Sequence, residues 1–347
     1  MEESKASLNP DADDFTPKVS SEVPKSGLNT NAATFEPEPI IEAYETQSVP
    51  NVKAAEKFEG RYGLLNFISG ESIVTYDATE DSWVTYNEWT SKSKVPEGKY
   101  SRTIMTSPTS FVISGGYNGS ALKHSHHVEI SKNFGEIVNS ISVYEMNEAR
   151  FLHSTVLFNN TVFIIAGQSN NKTYLDSVEA FENGEWVRKA GLNKPRSYCT
   201  AICNNSAVWV AGGFCGTSEV AQSVEKYVNG TWQLIEVTFP MLAGMASVPR
   251  DRFNTSFFIL GGSDGNTISD RVLVFNTESS GFEGESNKLL VPRAGAVTCW
   301  FGNSFWVIGG GHATGEFWTQ SVGKETKVMP LTIYSQLEAS TFMKSRD

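Results

Sequence analysis

The chain has 347 residues and a formal net charge of −11 at pH 7, with 28 Lys and Arg against 39 Asp and Glu. This acidic balance argues against a broad basic surface, so we expect no strong direct binding of nucleic-acid phosphates. No apolar stretch approaches the roughly 18 residues of a membrane span, and the first residues lack the apolar region of a signal peptide. We therefore expect a cytoplasmic protein without a membrane segment.

Residues 1–50 have the composition of a disordered tail. They contain ten Asp and Glu against three Lys, a net charge of −7, together with six Pro and no Trp. Such a segment has too few large apolar residues to form a core, and its prolines prevent a long helix. The remaining residues carry a net charge of only −4 and are much richer in aromatic residues.

The tail contains the same ten-residue pattern twice. Residues 8–17 read LNPDADDFTP and residues 28–37 read LNTNAATFEP, so both fit Leu-Asn-x-x-Ala-x-x-Phe-x-Pro. With each fixed residue at roughly one position in 20, one match has a chance on the order of 10⁻⁷ per starting point. A solubilising acidic tail is the alternative interpretation, but it does not explain why five residues recur in register.

Both copies resemble the second type of poly(A)-binding-protein-interacting motif, a linear peptide bound by the MLLE domain of cytoplasmic poly(A)-binding protein. In that family the Leu and Phe enter two apolar pockets, the Ala lies where a larger side chain would clash, the Asn shapes the turn and the Pro ends the motif. The resemblance assigns these roles in order to Leu8, Phe15, Ala12, Asn9 and Pro17, and to Leu28, Phe35, Ala32, Asn29 and Pro37.

The rest of the chain repeats with a period of about 48 residues. Apolar runs end at Gly116, Gly167, Gly213, Gly262 and Gly310, in steps of 51, 46, 49 and 48 residues, and one further step back reaches Gly70. Several units continue with an aromatic residue and then a Trp, as in Phe181 and Trp186, and we expect these side chains to pack between neighbouring units. Four short strands per unit, joined by Asn, Gly and Ser turns, are typical of a propeller blade.

This pattern resembles the kelch repeat. It predicts an all-β fold, a six-bladed kelch-type β-propeller over residues 51–333, preceded by the tail at 1–50 and followed by a C-terminal tail at 334–347. The first unit lacks an obvious innermost strand. Either residues 40–58 or the end of the chain must then close the ring, because an open edge leaves backbone groups unpaired.

Three arginines recur 17 residues before the glycine of their unit: Arg150, Arg196 and Arg293. One interpretation is a repeated structural contact, and the other is a basic rim on the propeller that faces an acidic partner. Arg250 follows a proline as two of the three do, but it stands only 12 residues before Gly262. We therefore expect it in a loop and do not group it with the others.

The sequence predicts no metal site and no cofactor. His124, His126 and His127 lie close together, but no carboxylate or Cys follows at ligand spacing, so we expect a solvated loop there. His153 is expected to make a structural hydrogen bond. The four cysteines have no zinc-like pairing and are expected to be buried or loop thiols.

These features together predict a monomeric, non-enzymatic adaptor. Its tail would bind poly(A)-binding protein, its propeller would bind a second, unidentified protein, and the pair would link it to mRNA translation or turnover. One alternative is a kelch scaffold of a ubiquitin-ligase or cytoskeletal complex, with the tail as a secondary tether. Another is a kelch-fold enzyme such as a sugar mutarotase, although none of the common catalytic motifs occurs.

Overall fold

A computed structural model describes the chain from residue 100 onward with short gaps, and three strands before it. The described residues are 64–69, 72–77, 82–87, 100–107, 110–130, 138–170, 173–216, 219–237, 241–251, 253–286, 288–301, 304–310, 314–319, 322–328 and 341–344. Within these residues every long element is a β-strand and there is no helix, which confirms the all-β expectation. The two motifs at 8–17 and 28–37 lie outside the described residues.

Twenty-four strands form six four-stranded antiparallel sheets, numbered here in chain order. The first contains β1 (Leu64–Ser69), β2 (Ser72–Asp77), β3 (Ser82–Asn87) and β26 (Thr341–Lys344). The second contains β4 (Arg102–Ser107), β5 (Ser110–Ser114), β6 (His124–Ile130) and β7 (Val138–Glu145). The third contains β8 (Ser154–Phe158), β9 (Thr161–Ile165), β10 (Val178–Glu182) and β11 (Glu185–Lys189).

The remaining three sheets follow the same plan. The fourth contains β12 (Thr200–Cys203), β13 (Val208–Ala211), β16 (Val224–Val228) and β17 (Thr231–Ile235). A short hairpin of β14 (Phe214–Gly216) and β15 (Glu219–Val220) is inserted between its second and third strands. The fifth contains β18 (Ala246–Pro249), β19 (Ser256–Leu260), β20 (Val272–Asn276) and β21 (Gly281–Glu285). The sixth contains β22 (Ala296–Phe301), β23 (Ser304–Gly309), β24 (Thr314–Thr319) and β25 (Val322–Val328).

One edge strand of each sheet contacts the corresponding strand of the next sheet. Going round, β4 contacts β8, β8 contacts β12, β12 contacts β18 and β18 contacts β22. β22 contacts β26, and β26 contacts β4. These six inner strands therefore form a closed ring.

The C-terminal segment supplies the inner strand of the first sheet. β26 pairs antiparallel with β1, with Leu64 opposite Lys344 and Phe67 opposite Thr341. The sequence offered two segments that could close the ring, residues 40–58 or the end of the chain. In the described residues, the end of the chain forms this closing strand. The structure differs here from the expected boundary at 333, because a strand of the first sheet lies inside the expected tail at 334–347.

The second strand of a sheet is apolar on both faces because neighbouring sheets cover both. Val162 to Ile165 in β9, Val208 to Ala211 in β13 and Phe257 to Leu260 in β19 are all buried. A half-exposed strand would alternate apolar and polar residues, whereas a strand covered on both faces reads as a continuous apolar run. These runs are the ones that end at the repeating glycines.

Tight Asn-Gly turns set the register of the outer strands. Asn183 and Gly184 join β10 to β11, and Asn229 and Gly230 join β16 to β17, all with positive φ between 51° and 87°. Two residues with positive φ make the type I′ turn that matches the twist of a hairpin. This register places each repeat aromatic residue opposite its Trp, as in Tyr227 opposite Trp232.

The aromatic pairs pack between neighbouring sheets, as the sequence predicted. Tyr227 and Trp232 of the fourth sheet belong to the same buried cluster as Val156 and Phe163 of the third. Trp186 of the third sheet packs with Val112 of the second, and its Nε1–H donates to Ser125 Oγ at 2.8 Å.

No helix in the described part of the chain is long and apolar enough to cross a membrane.

Candidate functional site

The three repeated arginines are buried inside the ring of sheets and are not on a rim. Arg150 and Arg196 are 0% exposed, and Arg293 is 1% exposed. A guanidinium with no exposed surface cannot face a partner protein, so the interpretation as a basic rim is corrected. The structure instead shows the alternative interpretation, a repeated structural contact.

Arg150 and Arg196 make the same set of bonds in two successive sheets. Arg150 Nη1 donates to the carbonyl oxygens of Ala166 and Ser177, and its Nη2 pairs with Glu179 at 2.7 Å. The bonds of Arg196 go to the carbonyl oxygens of Gly212 and Ser223 and to Glu225, again at 2.7 Å. Charge-assisted bonds of this kind are what make a buried ion pair tolerable.

Each glutamate also holds the segment that carries its arginine, between two sheets. Glu225 accepts hydrogen bonds from the backbone N–H and the side-chain Nδ2 of Asn193, and from the backbone N–H of Lys194. Glu179 accepts the equivalent bonds from Asn147 and Glu148. Neither glutamate was expected from the sequence, although each stands 29 residues after its arginine.

The contact is varied in the fifth and sixth sheets. The carbonyl oxygen of Arg196 accepts a hydrogen bond from the N–H of Gly167, the repeating glycine of the sheet before it. The carbonyl oxygen of Leu242 accepts the equivalent bond from Gly213, so Leu242 stands in the fifth sheet where the other sheets have their arginine. In the fifth sheet, strand β20 has the buried residue Leu273 opposite Ile259. The equivalent pair in the fourth sheet is Glu225 opposite Val210, so Leu273 takes the place of the glutamate. In the sixth sheet Arg293 Nη1 donates to the Gly309 carbonyl oxygen at 2.6 Å, and the register places Glu316 opposite Val307.

Arg250 lies in a loop, as the sequence predicted. It directly follows β18, its side chain is half-exposed, and its Nη1 is 3.8 Å from Glu283 Oε2. Its guanidinium carbon lies 5.7 Å from the centre of the Phe258 ring.

The three clustered histidines lie on strand β6 and not in a solvated loop. His126 is 4% exposed, while His127 packs against the rings of Phe181 and Tyr144 at 4.1 and 4.7 Å between centroids. Burial lowers the pKa of both His126 and His127 to about 4, with the neighbouring histidine adding to the shift. Among the described residues no group of three or more His, Cys, Asp or Glu could hold a metal ion.

His153 makes the structural hydrogen bond that the sequence predicted. It is 0% exposed, and its Nε2 lies 2.8 Å from Ser114 Oγ in the second sheet. Its Nδ1 has no hydrogen-bond partner among the described residues. Burial, reinforced by the positive charges of Arg102 and Arg150, holds the pKa of His153 well below its usual range.

Five residues form a chain of backbone hydrogen bonds around the inner strands. Four bonds of 2.6 to 3.2 Å link them, in which the N–H of each member after the first donates to the carbonyl oxygen of the previous one. Every member has positive φ. We call this set the inner ring, and its members in order are Tyr100, Leu152, Tyr198, Gly244 and Gly295. Each stands one or two residues before the inner strand of a different sheet, from the second to the sixth.

The side chain of Tyr198 extends over the next two members of the inner ring, Gly244 and Gly295. A Cβ on Gly244 would lie 2.5 Å from Cε1 of Tyr198, and a Cβ on Gly295 would overlap the Tyr198 hydroxyl oxygen. The phenol therefore lies on the backbone of the fifth and sixth sheets, although it starts from the fourth. From the second sheet, the Arg102 guanidinium carbon lies 5.9 Å from the centre of the Tyr198 ring.

Tyr198 and the inner strands line a half-open pocket of 140 Å³, which we call the central cavity. Arg102, Ser154, Thr155, Thr200 and Ser247 line it with polar groups. Cys199 adds a thiol whose pKa is raised by burial, so it is neutral at pH 7. The other lining residues are Ala201, Gly244, Met245, Gly295, Ala296 and Val297.

No family model matches the chain, and no curated protein matches it. Among solved structures, the chain is similar to the one described as "Structure of YjhT", with a TM-score of 0.56 and 10% sequence identity. The likeness covers 77% of this chain and 94% of that one. At this identity the comparison shows a shared fold.

Proposed function

We propose that the six sheets are the blades of a six-bladed kelch-type β-propeller. The closed ring of inner strands, the 46–51-residue glycine period and the similarity to the YjhT fold support this assignment. Closure of the first blade by the last strand of the chain fits as well, since it leaves no open edge at the junction of the chain ends.

The protein is proposed to act as a cytoplasmic adaptor whose tail binds the MLLE domain of poly(A)-binding protein. The observation that carries this proposal is the double occurrence of Leu-Asn-x-x-Ala-x-x-Phe-x-Pro at 8–17 and 28–37. The propeller is proposed to bind a second protein, and so to bring it to mRNA 3′ ends, where translation and mRNA turnover are controlled.

The motif predicts binding of moderate strength. Leu8 and Phe15 in the first copy, and Leu28 and Phe35 in the second, are the apolar anchors. The gain from burying two such anchors is partly offset by the cost of ordering a short peptide on binding, which limits the affinity of one motif. A dissociation constant on the order of 1 μM, about −8 kcal/mol, is therefore expected for one motif.

The test is binding of the full chain to an isolated MLLE domain, measured by titration calorimetry. Truncating a Phe that fills an apolar pocket costs about 3 kcal/mol or more, so Phe15→Ala with Phe35→Ala should weaken binding by about 100-fold or more. Tyr44→Ala is the matched control, because it removes a tail aromatic residue outside both motifs and should leave binding unchanged. Wild-type affinity in the double variant would refute the motif assignment.

A further inference from the structure

Three Asn-Gly pairs occur in the chain, at 118–119, 183–184 and 229–230. All six residues are exposed. An asparagine followed by glycine is prone to deamidation, because glycine has no Cβ to hinder the approach of its backbone nitrogen to the asparagine side chain. The sequence alone marks three equivalent candidates for this modification, and the structure separates them.

Deamidation needs an asparagine side chain and a following backbone nitrogen that are both free. The glycine nitrogen loses its proton and bonds to the Cγ of the asparagine, the C–N bond of the side-chain amide breaks, and ammonia leaves. Water then opens the five-membered succinimide at either carbonyl, which gives aspartate or isoaspartate. The net change is the gain of a water and the loss of an ammonia, so no oxidant or cofactor is required.

All three pairs meet this chemical requirement. In the part of the chain that the structure describes, the side chains of Asn118, Asn183 and Asn229 and the N–H groups of the glycines after them make no hydrogen bond. A Cβ on any of these glycines would have nothing within 4 Å, so the space beside the attacking nitrogen is open. By contrast, the side-chain oxygens of Asn204 and Asn276 already accept bonds from backbone N–H groups two and three residues ahead.

Two of the pairs are held in hairpin turns. The residues at 183–184 and 229–230 have positive φ between 51° and 87°, and they directly join the paired strands β10 to β11 and β16 to β17. A succinimide ring holds the ψ of its asparagine outside the left-handed region, whereas this turn type needs both residues inside it. The turn must therefore open before the ring can close, and opening breaks hydrogen bonds of the ladder.

Asn118 lies in a different kind of turn, in the loop between β5 and β6. Its φ is outside the left-handed region, and the positive φ of 100° belongs to Gly119. The flanking residues Tyr117 and Ala121 form an isolated bridge and not the end of a ladder. Rotation at Asn118 strains the bond from its N–H to the Ser120 carbonyl oxygen, at 3.2 Å, and leaves the strands paired.

We propose that Asn118 is a deamidation site of the folded protein, and that the fold protects Asn183 and Asn229. The ladder bonds lower the population of open turn at the two hairpins, so conversion there is slower by about tenfold or more. Conversion at Asn118 adds a negative charge, or as isoaspartate a longer backbone, to the loop whose Tyr117 packs on Phe151 at 5.0 Å between centroids. This site is independent of the tail motifs.

The experiment incubates the full-length protein at mildly alkaline pH, which favours loss of the glycine N–H proton. Mass spectrometry follows the three peptides, because each gains mass when its amide becomes an acid, and an isoaspartate-specific methyltransferase distinguishes the two products. Conversion at 118 should be at least about tenfold faster than at 183 and 229. No conversion at 118, or conversion at 183 or 229 at the same rate or faster, would overturn the proposal.

The unfolded chain is the control for local sequence. In guanidinium chloride the turns are absent, so the three positions should convert at similar rates. A difference that persists in the unfolded chain would show that the fold is not what protects Asn183 and Asn229. Asn118→Gln tests the assignment of the reacting residue, because glutamine would need a less favourable six-membered ring. This variant should lose conversion in its own peptide and keep the wild-type rates at 183 and 229, and continued conversion there would mean that another residue reacts.

Discussion

At the scale of single residues, the inner ring shows how one side chain dictates the identity of its neighbours. All five members have positive φ, yet only two of them are glycine. Tyr100, Leu152 and Tyr198 adopt this conformation despite their Cβ atoms, so positive φ alone does not require glycine here. Gly244 and Gly295 lie under the Tyr198 ring, where a Cβ would collide with it. Glycine is required at these two positions for space as well as for conformation.

Gly295→Ala is expected to destabilise the protein by about 3 kcal/mol or more, since it adds a collision with Tyr198 to the cost of positive φ. Gly230→Ala is the control, because Gly230 also has positive φ but has nothing within 4 Å of a Cβ. It should cost only about 1–2 kcal/mol. Urea unfolding of both variants makes the comparison, and equal losses would mean that Tyr198 does not occupy this position.

His153 makes the stability of the fold sensitive to mild acid. The unfolded chain takes up a proton at His153 near pH 6.5, whereas burial beside Arg102 and Arg150 keeps the folded side chain neutral. Stability from this residue is therefore complete above pH 6.5 and is lost as the pH falls towards the lower folded pKa. The loss is up to about 1.4 kcal/mol per pH unit for this residue.

His153→Gln should reduce the slope of unfolding free energy against pH between pH 6.5 and 4.5, because glutamine keeps a polar group near Ser114 without titrating. The slope that remains comes from groups such as His126 and His127, whose pKa values are about 4 in the folded protein. The measurement is urea unfolding at a series of pH values.

At the scale of elements, the buried Arg–Glu pair joins the beginning of a sheet to its third strand. Arg196 and Glu225 are both fully buried, so removal of either charge leaves the other without compensation. The fifth sheet replaces both partners, with Leu242 and Leu273 at the equivalent positions. Paired replacement is expected on physical grounds, because two apolar side chains leave no unpaired charge.

Glu225→Gln is expected to cost about 3–5 kcal/mol of unfolding free energy, because the Arg196 guanidinium then stays buried without its counter-charge. Glu182→Gln is the matched control: it breaks a pair with Lys189 at 2.7 Å, but both side chains are partly exposed. That change should cost less than about 1 kcal/mol. Similar losses in the two variants would show that burial does not set the strength of the Arg196 pair.

At the scale of the whole molecule, the two ends of the ring meet in one sheet. β26 from the C-terminal segment pairs with β1, and it also contacts β4 and β22 on either side. This strand makes the closure of the ring depend on residues that are distant in sequence. Because each sheet packs on two others, opening the ring at one point exposes apolar surface on both sides of the gap.

Deletion of residues 341–347 should therefore destabilise the entire ring. We expect the free energy of unfolding to fall by several kcal/mol, and the Tm to fall by about 2–4 °C for each kcal/mol lost. We also expect the molecules to associate through the exposed edge of β1. Deletion of 345–347 alone is the control, because it leaves β26 intact. Circular dichroism and size-exclusion chromatography measure the two effects. A wild-type Tm in the longer deletion would show that β26 does not close the ring.

The local pattern of the chain determined most of its strands and their spacing. Each apolar run that ends at a repeating glycine is the second strand of a sheet. Asn-Gly turns and the Tyr–Trp spacing give the outer hairpins their register. The repeated ten-residue pattern at 8–17 and 28–37 is likewise visible in the sequence alone.

Only the tertiary structure decided which charged and polar residues are exposed. The arginine spacing was visible in the sequence, but burial depends on the neighbouring sheets and on a glutamate 29 residues away. The same holds for β26, the histidines of β6 and the central cavity, whose lining comes from five sheets. Spacing along the chain reports the period of a repeat. Which of its faces meet depends on contacts between distant residues, because packing, not local conformation, selects those contacts.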